Sequence, residues 1–442
     1  MRILLVSDSY PPLVGGATLF VHALARELTN RGHQIAVVTC AQDGAPGHEL
    51  DAGVEVHRVQ GLTLRVPGVS ADPFRNTPPP FPDPEMTVRI LRIARRFGPD
   101  VVHSYGWLTY SCAAALAGQR TPLIVSAHDY GNICAVRTLM RKGEICEGPA
   151  LAKCLDCAVA FYGPAKGALA VGGVLGGRPL LRRNVTGVHS ISRFVEAKVE
   201  EYLFPVTPEP LAGALVRATI PSFRPEVEGD VPDEAALGLL PEAPFILFVG
   251  ALRRIKGLEP LLAAYAGLAN PPPLVLIGTR APDTPSSFPA GVTVLGATSN
   301  ATVLAAWDRA LFGVSPSLLA EPLGIVVHEA MSRGTPVIGS TPGGHADMIE
   351  DGKTGFLVPA GDVAALTAAM RRLIEDGELR DRMATRARTV AERFTADALV
   401  PQFESLYRRA IDVGPGSSRT PPPGSRRGPH ATSSTRNGGR ST

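Results

Sequence analysis

Nowhere in the 442 residues do about eighteen apolar positions run consecutively, so no membrane-spanning helix is expected. The n-region, apolar core and cleavage site of a secretory signal are missing as well. The chain opens directly on the strand-length run Met1-Arg2-Ile3-Leu4-Leu5-Val6, which predicts a cytosolic protein. In that reducing compartment the six cysteines are expected to be thiols or metal ligands rather than disulfides. A charge excess is lacking too. The net charge is +3, and residues 413–442 hold Arg419, Arg426, Arg427, Arg436 and Arg440 with no acid. Setting those five arginines aside leaves about −2, which removes the general case for nucleic-acid binding. No Gly-x-Gly-x-x-Gly follows the first strand, against a dinucleotide dehydrogenase. No Asp-x-Asp pair stands at a strand end, so no catalytic divalent ion is expected.

What is present is alternation. At 45% hydrophobic residues the chain can fill sizeable cores, and its length suits two or three domains, of which two are expected. Strand-like runs at Arg2–Ser7, Gln34–Thr39, Val54–Val59, Asp100–His103, Leu123–Ser126 and Val185–His189 are interleaved with helical periodicity. A second series begins at Phe245–Val249 and continues through Leu274–Gly278, Val292–Gly296 and Ala310–Ser315. Strand-helix repeats of this kind imply parallel sheets covered on both faces. The reading is α/β: residues 1–220 form a first Rossmann-like domain carrying a Cys-bearing insertion at 131–160, and 221–243 form a Pro- and acid-rich linker. Residues 244–395 form a second such domain, 396–411 a final helix, and 412–442 a disordered basic tail.

The stretch 320–331, Ala-Glu-Pro-Leu-Gly-Ile-Val-Val-His-Glu-Ala-Met, places Glu321 in a loop and Glu329 on the helix that follows. Open N–H groups at Gly324, Ile325 and Val326 would attract an anion such as a diphosphate, and a carboxylate further along suits ribose hydroxyls. A solvated Glu329 and a capping Glu321 fit the same spacing. Elsewhere His128 and His103 stand at strand ends, where ligands of open parallel sheets bind and where a histidine also satisfies backbone groups. Gly15-Gly16 reads as a helix-opening turn, and Arg253, Arg254 and Lys256 as cations after a strand, either solvated or suited to a diphosphate. Cys134, Cys146, Cys154 and Cys157 fit tetrahedral zinc, reduced packing thiols or, less readily in a reducing compartment, a disulfide. The basic, apolar stretch Lys166–Arg183 reads as a buried helix with a solvated end or as a segment at a membrane surface.

The run from Ser315-Pro316-Ser317 through Glu321-Pro322-Leu323-Gly324 and Glu329-Ala330-Met331 to Gly334-Thr335-Pro336-Val337-Ile338 and Gly343-Gly344 resembles the donor-site signature of retaining glycosyltransferase family 4. The likeness continues through Asp351-Gly352 and Thr354-Gly355-Phe356-Leu357-Val358 and spans roughly residues 1 to 410. It implies the GT-B architecture, two Rossmann-like domains facing across a cleft, with the last helix crossing back to the first domain. It further implies transfer, of hexosyltransferase type, from a nucleotide-diphosphate sugar donor to a hydroxyl-bearing acceptor, with retention and without a metal. Under that resemblance Glu321 meets the sugar and Glu329 the ribose. Gly324, Ile325, Val326 and Lys256 meet the diphosphate, and Gly15, Gly16 and His128 face them from across the gap. The family's usual arginine is replaced by Ala251, and Arg253 is expected to supply the missing charge. A nucleotide-sugar epimerase and a non-catalytic nucleotide- or glycan-binding protein would share these features. Donor base, sugar, acceptor and oligomeric state are not encoded in any motif.

Overall fold

The computed structural model describes residues 1–13, 15–65, 78–205, 215–223 and 230–414. Two sheets organise the chain. The first has eight strands in the spatial order Val216–Thr219, Gly187–Ser190, Leu123–Ala127, Val101–Tyr105, Arg2–Ser7, Gln34–Cys40, Val54–Val59, His48–Asp51. All neighbours are parallel except the last pair, an antiparallel edge with His48 opposite His57. The second sheet has six strands, Val292–Leu295, Leu274–Ile277, Phe245–Val249, Ala310–Ser315, Val337–Thr341 and Gly355–Pro359, every neighbour parallel. The central strands read as unbroken apolar runs because helices cover both faces, leaving Ile3, Leu4, Leu5, Val6, Ile246 and Leu247 without solvent contact.

The described part of the interval 221–243 includes a short helix at Glu234–Gly238. The tail expected to be disordered lies, from 415 onward, outside the described residues, as do 206–214 and 224–229. The Lys166–Arg183 stretch divides into Pro164–Gly176 and Arg178–Asn184, with Gly177 and Pro179 breaking it. Among the described residues no helix is long and apolar enough to cross a membrane.

The final helix, Ala396–Val413, is opened by the Thr395 side chain, which accepts from Ala398 N–H. Its apolar face returns to the first sheet and buries Phe403, Leu406, Tyr407 and Ala410 completely. Each of the three large side chains is worth roughly 1.5–3 kcal/mol of burial, enough to hold the helix away from its own domain. His33 to Glu404 at 2.9 Å and Arg31 to Asp397 at 3.1 Å fix its outer side.

Two further ties cross between the sheets. The Tyr130 hydroxyl donates to the Ala320 carbonyl at 2.6 Å. The backbone N–H and Nε of Arg193 donate to the two carboxylate oxygens of Asp347 at 2.7 and 2.8 Å.

Candidate active site

A cavity of about 370 Å³ opens between the two sheets, within the range of small-ligand sites. The first domain contributes Gly16, Phe20, His128, Ile191 and Phe223, and the second contributes Gly250, Lys256, Ser315 and the segment 321–326. Both halves reach it from the carboxyl ends of parallel strands, where loops diverge and leave a crevice.

Two helices point their amino termini into this space. Gly16–Asn30 begins without a side-chain cap and without an acid in its first turn, and Ile325–Ser332 begins the same way. Gly16 and the residues Gly324, Ile325 and Val326 line the cavity. Backbone N–H groups and the positive ends of two helix dipoles therefore meet one volume, an arrangement suited to an anion. Gly324 holds φ at 83°, and a Cβ there would stand 2.5 Å from His345 Nε2, so the helix begins as it does only with glycine.

Glu321 and Lys256 are the charged pair of the site. Lys256 Nζ donates to Glu321 Oε1 at 2.6 Å, and Glu321 is 7% exposed. Burial alone would raise the Glu321 carboxyl. The Lys256 ammonium, His345 and the Ser317 hydroxyl outweigh it and hold the group below its ordinary value, so it stands ionised. The Lys256 turn is anchored from below. Ser317 Oγ and Leu318 N–H donate to the Ile255 carbonyl at 3.1 and 3.0 Å. Gly257, at φ 78°, brings its backbone so close to the Pro316 carbonyl that a Cβ would lie 1.8 Å from that oxygen.

His128 lines the cavity beside Phe20, with ring centres 4.9 Å apart, and its Nε2 has no protein partner. Burial, reinforced by His189, pushes its pKa well down, so the ring is neutral. His103 belongs to the core instead: its Nδ1 lies 3.0 Å from the hydroxyls of both Tyr407 and Tyr105.

Three expected site residues stand apart from the lining. Arg253 pairs with Asp283 at 3.3 Å and is half exposed, so it is directed along the outer surface. Glu329 is 4% exposed on the helix Ile325–Ser332, three residues beyond Val326 and hence on the same helix face one turn deeper. Gly15 precedes the lining residue Gly16. Conversely, His345 and Tyr130 support the site from behind the lining although no motif points to them. His345 lies against Gly324 and contacts Ser315 Oγ at 3.2 Å and the Ser340 carbonyl at 3.1 Å. Tyr130 directly follows His128-Asp129 and His345 directly follows Gly343-Gly344, and that adjacency is the signal the sequence holds for them.

The four clustered cysteines are all free thiols and half-buried. Among the described residues no three of their sulfurs lie within 4.8 Å of one another.

Residues 15–212 match the glycosyl transferase 4-like domain family, and residues 233–390 match the glycosyl transferases group 1 family. A D-inositol 3-phosphate glycosyltransferase of a Nocardioides species is 26% identical over 92% of this chain and 90% of its own length. A glycogen synthase of Mycobacterium tuberculosis is 26% identical over 90% of this chain and 91% of its own. Among solved structures, sucrose-phosphate synthase from Thermosynechococcus elongatus superposes with a TM-score of 0.68 at 21% identity, covering 93% of this chain and all of that one. Anabaena HepE, solved in complex with UDP and glucose, gives 0.62 at 18% identity over 92% of this chain and all of its own. The two matched families, one on each side of a cleft that both helix termini face, make the chain a GT-B glycosyltransferase of family 4.

Proposed function

We propose that the chain moves a sugar from a nucleotide-diphosphate sugar to a hydroxyl-bearing acceptor with retention of configuration, and without a catalytic divalent ion. The observation that carries this reading is the convergence of two uncapped helix termini and the Lys256–Glu321 pair on one cavity. The relatives support the donor class: Anabaena HepE was solved with UDP-glucose.

In this reading the diphosphate takes the N–H groups of Gly324, Ile325 and Val326 on one side and those of the Gly16 helix on the other. Lys256 stands beside its leaving oxygen. As the glycosidic bond lengthens, negative charge grows on the diphosphate and positive charge on the sugar. The fixed N–H groups and Lys256 meet the first, already oriented toward the place where that charge develops. The ionised Glu321 meets sugar hydroxyls from the same side as Lys256, and the neutral His128 ring lines the cavity from the first domain. Glu329 would take the ribose hydroxyls, reached one turn down the helix that also holds the phosphate. The acceptor approaches over the first domain.

The test is incubation with a panel of nucleotide sugars, with and without acceptor pools. Nucleotide release that requires an acceptor, with the anomeric configuration preserved in the product, is the expected result. Conversion of the sugar without an acceptor would identify an epimerase, and affinity without turnover a binding protein. Activity lost on chelation and restored by Mg²⁺ or Mn²⁺ would overturn the metal-independent mechanism.

A further inference from the structure

Among the described residues, one group of three histidine, cysteine or carboxylate side chains converges closely enough to hold a metal ion. The ligand atoms of His48, Glu55 and His57 all lie within 4.8 Å of one another. None of the three lines the cavity, and the strand His48–Asp51 is the outermost of its sheet.

The register explains the convergence. His48 stands directly opposite His57 in the antiparallel pairing of His48–Asp51 with Val54–Val59. Arg58 N–H donates to the Gly47 carbonyl at 2.8 Å, so the adjacent His48–His57 pair exchanges no backbone hydrogen bonds and is of the kind in which facing side chains come closest. Their ring centres are 4.8 Å apart. Glu55 stands two residues before His57, on the same face of the sheet and diagonal to His48. Alternation buries Val54 and Val56 and turns Glu55 and His57 the other way, with the Glu55 carboxylate 3.5 Å from His57 Nε2. The other acids of this hairpin are engaged elsewhere. Glu49 pairs with Arg58 at 2.7 Å, and Asp51 Oδ2 lies 3.0 Å from His22 Nε2 and accepts from the Tyr10 hydroxyl at 3.2 Å. Among the described residues Glu55 pairs only with His57.

We infer that His48, Glu55 and His57 bind one divalent transition-metal ion of the zinc type, through two imidazole nitrogens and one carboxylate oxygen, with water completing the shell. Two nitrogens and one oxygen suit zinc, nickel or copper, whereas magnesium and calcium take sets of oxygens. Bonds of about 2.0–2.2 Å require the three atoms to draw closer than 4.8 Å. His48 is exposed and the Glu55 side chain half exposed, so both can turn toward the ion, while the His57 side chain, at 17% exposure, is the fixed member. The ion fastens the outermost strand to its one neighbour in the sheet. At its far end that strand holds Asp51 against Tyr10 and His22, and His22 is carried by the helix Gly16–Asn30 that opens into the cavity. Its role is structural, a brace on the support of that helix, and transfer without a catalytic metal stands beside it without conflict.

Tag-free protein with its accessible thiols alkylated tests this, because alkylation keeps cysteine sulfur from competing for the metal. Stripped of metal and titrated with Zn²⁺ in a calorimeter, it should bind about one equivalent, with no competition from excess Mg²⁺. His48→Ala should abolish binding and Glu55→Gln should weaken it, whereas Glu49→Gln, on the opposite face of the same strand, should leave it unchanged. Zn²⁺ should raise the melting temperature of the wild-type protein and leave that of His48→Ala where it was. Paramagnetic resonance of Cu²⁺ bound to the wild-type protein should show coupling to two imidazole nitrogens, a readout that depends on no variant. Failure of the alkylated protein to bind zinc, binding that survives His48→Ala, or a copper spectrum without two nitrogens would overturn the inference.

Discussion

Lys256 Nζ lies 2.6 Å from Glu321 Oε1, joining the turn after one strand of the second sheet to the loop after another. Because this pair faces the cavity, chemistry and stability should separate on mutation. Glu321→Gln keeps the shape of the side chain, and Lys256→Ala removes the cation. Each should lower kcat by about 10²- to 10³-fold, the loss typical of one fixed electrostatic contact in a transition state. The double variant should lose less than the product of the two. Steady-state kinetics beside thermal melts checks this, and melting losses that account for the lost turnover would reduce the pair to a structural role.

The same pair sets an acid limit. Burial raises the Glu321 carboxyl, but Lys256, His345 and Ser317 bring it below its ordinary value of 4.5. Its contribution to stability is therefore complete above about pH 4.5 and is lost as pH falls through the lower folded value. In Lys256→Ala burial prevails, so the acid limb of residual activity should move to higher pH. A pH–rate profile of that variant that coincides with the wild-type profile would contradict this.

Two buried histidines and the half-buried His128 make a second acid-sensitive element. Burial lowers His103 and His128 well below 6.5, and brings His189 to about 4. Below about pH 6.5 the unfolded chain takes up protons that the folded chain refuses, so stability falls toward pH 4 by up to about 1.4 kcal/mol per pH unit for each histidine. Denaturant melts across this range should show the slope, and His189→Asn should remove about one proton's share of it.

Gly257→Ala should be among the most damaging single methyl groups near the site. At φ 78° with the Pro316 carbonyl oxygen 1.8 Å from the new Cβ, the Lys256 turn must move. Strain of this kind costs about 1–3 kcal/mol, and the displaced Lys256 should cost donor affinity as well. Calorimetric donor binding and chemical melts measure the two effects separately.

Tyr130→Phe removes one hydrogen bond between the domains without opening a cavity. The expected loss is about 0.5–1.5 kcal/mol of the closed arrangement, a several-fold fall in kcat/KM. Arg193→Ala, which removes the Nε bond to Asp347 and keeps the backbone one, should act in the same direction, and small-angle scattering should report a less compact particle for both. Unchanged kinetics and dimensions would show that other contacts hold the domains.

The sequence by itself determined the alternating architecture and the lower half of the site. Apolar runs of strand length, interleaved with helical periodicity, leave a covered parallel sheet as the way to bury them, and the glycine and carboxylate spacing around Gly324 states a helix terminus open to an anion. Only the tertiary structure decided where long side chains end. Arg253 and Lys256 are near neighbours in one basic loop, yet one pairs with Asp283 on the surface and the other with Glu321 in the cavity. Spacing gives the position of a Cα but not the direction taken by a flexible side chain, which is set by the partner it meets. His103 likewise stands at a strand end, open to a ligand as far as its neighbours in sequence go, but the last helix arrives from the far end of the chain and places Tyr407 against it. Contacts so distant in sequence carry no local signature, since they exist only once both sheets have folded and the helix has crossed between them.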